Sequence, residues 1–319
     1  MDIARRQMLG GLSLFGAAAL AMILANSPVG AGYQEFASQD ALKGAAIFLF
    51  FLSVGIELRQ EVFGGSLSKP KQAIVPILAA VGGMVLPVTI YTLFNAGTPA
   101  AAGWGVPMSS DMAFALGVLA IAGRWLPRQI RTYVLTVAVV DDTLTILVIA
   151  IFFASSFHVL SLASLAGVIL GLLLPGAKRI QPQLETVVAF IALPLFALMS
   201  AGISFDKLNA VSEIPIFLVV GIFAAMMFGK PLGIIGTTWL VVKTGLGKLP
   251  AGIVWKDLTV ALLAFGMCFT LAMVMTELSF GDNPGAHALA NVSVIGASIV
   301  MAIVSMAALT FRKMQQIDK

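Results

Sequence analysis

The sequence predicts an all-α polytopic membrane protein, and three observations predict it. Of 319 residues, 59% are apolar and only 11% charged, with a mean hydropathy of +1.01, against roughly 45–50% and 25% in soluble domains. The apolar residues gather into about ten runs close to the ~20 residues needed to cross a hydrocarbon core of about 30 Å. All but three of the 19 Lys and Arg residues fall at one face when these runs are threaded back and forth, as the positive-inside rule requires.

The runs lie at 10–27, 41–57, 73–94, 108–123, 132–154, 158–175, 186–203, 213–241, 257–277 and 289–310. The first follows Arg5-Arg6, which with the apolar stretch looks like an export signal. Cleavage there would leave nine spans and reverse the sides that the basic loops favour, so the stretch reads as a span. The second ends on Glu57, with Glu61 beyond. The third carries Gly82, Gly83 and Pro87. In the fourth, Gly103, Gly105, Pro107, Ser109 and Ser110 precede Asp111, a composition that interrupts a helix and restarts it with a hydroxyl cap. The fifth contains Asp141-Asp142, and the sixth and seventh carry no charge. The eighth contains Lys230. The ninth is interrupted at Phe265-Gly266-Met267-Cys268-Phe269-Thr270, and the tenth runs to Arg312-Lys313. Short connectors leave no room for a soluble domain, so residues 1–319 form one membrane-embedded unit.

The orientation places both termini in the cytoplasm. Lys43 and Lys207 fall at the opposite face and Lys230 within a span. The basic balance is thus a topology signal, and no soluble basic surface exists for nucleic acid. One cysteine, Cys268, excludes an intramolecular disulfide, and two histidines, His158 and His287, leave little for a His-ligated metal. No cofactor is expected.

Four charges sit inside spans: Asp111, Asp141, Asp142 and Lys230. Each costs about 2.5–3.5 kcal/mol at a helix centre. A structural ion pair explains Lys230 and one aspartate, but three acids against one base call for a bound cation or protons. Asp141 and Asp142 point about 100° apart on one helix. One can face Lys230 while the other faces a cavity shared with Asp111. Thr145, one turn beyond Asp142, and Ser109 or Ser110, beside Asp111, offer hydroxyl oxygens; with carboxylates these suit a hard cation such as Na⁺ or Li⁺. Each hydroxyl taken singly also fits a packing or backbone-bonding role.

Spans three to five and eight to ten share a helix, broken helix, helix pattern. The two intervening spans reverse the second unit, which predicts inverted repeats at about 73–154 and 213–310. Broken helices expose partial charges at a site in the bilayer.

With these features in view, the chain resembles the NhaA-type sodium/proton antiporters. The resemblance rests on Val54-Gly55-Ile56-Glu57 with Glu61, on Ser110-Asp111-Met112-Ala113-Phe114-Ala115-Leu116-Gly117-Val118-Leu119-Ala120 and on Val140-Asp141-Asp142. It continues through Leu193-Pro194-Leu195-Phe196-Ala197, Gly229-Lys230-Pro231-Leu232-Gly233 and Phe269-Thr270, in family order. It implies exchange of Na⁺ or Li⁺ for H⁺ across the bacterial inner membrane by alternating access, with two crossed broken helices. Asp142 would be the main cation and proton carboxylate, Asp141 its neighbour paired with Lys230, and Asp111 the charge compensating the crossed helices. Ser110, Thr145 and Thr270 would be accessory oxygens, and Glu57 and Glu61 would serve pH response or be solvated interfacial charges. Proton and Na⁺ would compete for the aspartates.

The family pattern has twelve spans; here the stretch between the fifth span and Leu165-Ala166-Gly167-Val168 is too short, as if two helices had been removed together. The resemblance also implies a homodimer joined by a hairpin after the first span, for which the segment Asn26 to Asp40 is short. The family's acid in span two falls at Gly44, and Ser200 replaces its Asn. Two other readings remain: a cation-coupled symporter of an organic solute, and a cation channel or non-transporting membrane scaffold.

Overall fold

The computed structural model describes residues 3–64, 70–152, 159–202, 216–281 and 283–317. Lys69, His158, Lys207 and the first residues of the eighth run lie outside them. Among the described residues every regular element is helical, and each of the ten runs coincides with a helix or a broken helix. They are α1 (Ile3–Ala25), α3 (Asp40–Gly64), α4 (Pro70–Asn95), a 3-10 segment (Pro99–Met108) leading to α5 (Met112–Ile121), α6 (Arg128–Phe152) and α7 (Val159–Leu173). Then follow α8 (Gln181–Ser200) and α9 (Phe217–Lys243), α10 (Trp255–Gly266), α11 (Thr270–Phe280) and α12 (Pro284–Ile317).

Ten full-length spans are not what the helices show. Six described helices are long and apolar enough to cross a bilayer, and a seventh span is the pair α10 and α11, bent by 41°. Among the described residues the other three runs fall short of the ~20 residues of a straight crossing: Leu12–Ala25 of α1 and Leu162–Leu173 of α7 are shorter apolar helices, and the fourth span is split between the 3-10 segment and α5. The connector after the first span, expected as a loop, contains a short helix, α2 (Gly30–Ala37).

The helices gather into two bundles. In one, α3 lies along α7 and α1 along α8; in the other, α9 crosses α4, and α12 lines α9, α10 and α11. Close approach within each bundle depends on missing side chains, the usual device where lipid supplies no hydrophobic drive for helix association. A Cβ on Gly55 would sit 2.5 Å from the Val168 carbonyl oxygen, and one on Gly233 would strike that of Gly82. Gly82 in α4 and Gly233 in α9 thus lie at the crossing of these two helices. Two prolines lie inside α4, Pro76 and Pro87, and π turns interrupt α8 at Val188–Ala192 and α9 at Ala225–Gly229, features that commonly mark kinks in helices.

Candidate functional site

The fourth and ninth spans break where they meet. The 3-10 segment ends at Met108, just past Pro107, the chain turns extended at Ser109 (φ −82°, ψ 164°), and helix resumes at Met112. Opposite it, Met267 is extended (φ −93°, ψ 131°) before α11 starts at Thr270. The two breaks are stapled: the Asp111 N–H donates to the Met267 carbonyl at 3.1 Å, and Ser109 Oγ pairs with Cys268 Sγ at 2.9 Å. Ser298 of α12 accepts from the Cys268 N–H at 3.2 Å and donates to its carbonyl at 2.5 Å. Unwound backbone at membrane depth is thereby satisfied by protein.

Each broken end meets an opposite charge. The Thr270 N–H and hydroxyl, at the N-terminus of α11, donate to Asp111 Oδ2 at 3.3 and 3.0 Å. Lys230, 1% exposed, donates to the Met108 carbonyl at the end of the 3-10 segment. A carboxylate at a helix start and an ammonium at a helix end complement the terminal partial charges.

The two adjacent aspartates have different surroundings. Asp141 is fully buried. Its Oδ1 and Oδ2 accept from Lys230 at 2.6 and 2.7 Å, and Oδ2 also accepts from Ser110 Oγ at 2.6 Å. The 100° offset turns Asp142 elsewhere. Its Oδ1 is buried with no hydrogen-bond partner, and so is Thr145 Oγ1, three residues on along α6. The charges of Asp141, Asp111 and Glu57 bear on Asp142, against the single positive charge of Lys230.

Of the residues singled out in the sequence, Asp111, Asp141, Lys230, Ser110 and Thr270 are thus joined by hydrogen bonds around the crossing. Asp142 and Thr145 stand beside them with oxygens unclaimed. Ser110 and Thr270 spend their hydroxyl protons on Asp141 and Asp111. Glu57 is half-buried on α3, its charge directed at Asp142 from the other bundle; the Glu61 side chain lies outside the described residues. Among the described residues no group of three or more His, Cys, Asp or Glu forms a metal cage.

Two charged sites escaped the sequence. Lys230 is not the sole buried cation: Lys43 is 7% exposed and faces Glu277 at 3.5 Å. Asp257, 3% exposed, accepts from Arg312 Nε at 2.7 Å and from Gln316. The available signal was their place inside the predicted runs 41–57 and 257–277.

The model of the family described as Na⁺/H⁺ antiporter 1 matches residues 1–175 and 162–309. The two matches overlap at residues 162–175. Among curated relatives, the Na⁺/H⁺ antiporter NhaA of Thermobifida fusca is 34% identical over 98% of this chain and 93% of its own. That of Sodalis glossinidius is 33% identical over 92% and 90%, and that of Vibrio parahaemolyticus 31% over 97% and 96%.

Proposed function

Since the chain belongs to the Na⁺/H⁺ antiporter 1 family, we propose that it exchanges Na⁺ or Li⁺ for H⁺ across the bacterial inner membrane, with both termini in the cytoplasm. It is a multi-pass membrane transporter and not an enzyme. The observation that carries the site assignment is the pair of unpartnered buried oxygens, Asp142 Oδ1 and Thr145 Oγ1. Buried polar atoms are almost always hydrogen-bonded, so an orphaned carboxylate and hydroxyl on one helix face call for a small hard cation or a proton.

The mechanism follows from charge. Three acids near one ammonium cannot all remain ionised in a low-dielectric site unless something positive joins them. Lys230 is committed to Asp141, so Asp142 takes either Na⁺ or H⁺. Neutralised by either, the bundle holding the crossed helices moves against the α1, α3, α7 and α8 bundle and exposes the site to the other side. Inverted repeats at 73–154 and 213–310 would supply the two equivalent end states. Asp111 and Lys230 hold the broken ends in register, and Glu57 lies on the approach to Asp142. Symport of an anionic solute finds no spare cation here, because Lys230 is fully engaged. A channel reading lacks a continuous polar lining, since the site is a compact cluster at one depth.

The segment after the first span, α2, is folded onto its own chain through the Tyr33 hydroxyl, which donates to the Leu198 carbonyl at 2.6 Å. That leaves the short segment little reach for a hairpin to a second copy, so a homodimer joined there is disfavoured. Reconstituted in acid-loaded vesicles with a trapped pH dye, it should alkalinise the lumen on addition of Na⁺ or Li⁺ outside. No response to any cation would overturn the exchange reading.

A further inference from the structure

The two bundles are joined by a polar chain at the face opposite the basic loops. Lys43, at the start of α3, lies 3.5 Å from Glu277 Oε1, near the end of α11. Glu277 Oε2 is 3.0 Å from His287 Nε2, at the start of α12. Asn291 Nδ2 lies 3.2 Å from His287 Nε2 and donates to the Ser200 carbonyl at the end of α8, again at 3.2 Å. Thr276 donates to Asn291 Oδ1. The chain thus crosses between bundles twice, from α3 to α11 and from α12 to α8.

Lys43 and Asn291 are buried, so each link replaces water that these groups would otherwise require. Glu277 also lies seven residues, two helical turns, beyond Thr270, which holds Asp111; at 100° per residue both project from nearly the same side of α11. The network therefore sits over the site on its outer side. Glu57 approaches Asp142 from the opposite end of α3.

We propose that Lys43, Glu277, His287 and Asn291 form an outer gate: an ion pair and hydrogen-bond latch that is made when the transporter is closed to the outside and must break for Asp142 to face outward. This deepens the alternating-access reading and rests on it. Separating the bundles would strip Lys43 of its carboxylate and Ser200 of its amide donor, whereas the bonds around Asp141 and Asp111 lie within one bundle and survive the motion. The latch consequently biases the closed state without touching the transported ion.

The test places a reporter beneath the latch. Ala46, 3% exposed and one turn inward from Lys43, is changed to cysteine in a Cys268→Ala background, and a membrane-impermeant maleimide is applied to right-side-out and inside-out vesicles. Lys43→Met or Glu277→Gln should speed labelling from the outer face about tenfold or more, within the 5- to 150-fold range of couplings between conformational states. Labelling from the inner face should not rise. The double variant should match Glu277→Gln alone, because that change already removes the Lys43 link. No acceleration, or equal acceleration from both faces as loosened packing would give, overturns the gate. Cation-dependent alkalinisation by the unaltered chain is recorded in parallel, so failure of exchange is distinguishable from failure of the latch.

Discussion

Among individual residues, the division of labour between Asp141 and Asp142 makes separable predictions. Asp142→Asn removes a charge from a cluster of acids without breaking a described hydrogen bond at Oδ1. It should abolish exchange while leaving thermal stability in detergent unchanged or raised. Lys230→Met strands Asp141, fully buried, and should lower stability by about 3–5 kcal/mol, the range for breaking a buried pair by removing one partner. Adding Asp141→Asn should recover part of that loss, as thermal melts of the three variants would show. Thr270→Val removes the hydroxyl donated to Asp111 and should cost about 1.5–3 kcal/mol, the range for a hydrogen bond to a charged group. Most of this site was legible in the sequence, because charge inside an apolar run is expensive and four such residues stood out. The partners were not. Nothing in Ser110 says that its proton goes to Asp141, 31 residues away, and Lys43 stood so near the end of its run that it read as lying at the opposite face.

At the level of elements, glycine contacts set how closely helices cross. Gly55→Val places a side chain against the Val168 carbonyl and should split α3 from α7; Gly233→Leu should do the same to α4 and α9. Overpacking costs about 1–3 kcal/mol or more, so both variants should elute from size exclusion with a reduced monodisperse fraction. The positions of the helices followed from apolar runs, and the break in the fourth span from its Gly, Pro and Ser content. The break in the ninth was a fainter signal: a mid-membrane Gly usually means close packing, and only the staple from Asp111 to Met267 turns it into an unwound segment. The short α2 was hidden because its eight residues lack the length that makes helical periodicity visible, and it is held by the long-range bond from Tyr33 to Leu198.

For the whole molecule, the family model matches the chain over residues 1–175 and 162–309 and so covers both crossed helices. The crossed helices, with Asp111, the aspartate pair and Lys230, therefore all lie within the matched part of this chain of 319 residues. With α2 folded inward, the mass in mild detergent should correspond to one chain, and light scattering coupled to size exclusion would measure it. Competition at Asp142 is the central claim, and it has a direct readout that needs no membrane. Purified protein in weakly buffered detergent solution, mixed with Na⁺ near its working pH, should release protons into a pH dye, and Asp142→Asn should release none. Na⁺ binding without proton release, or release that persists in Asp142→Asn, would contradict the account.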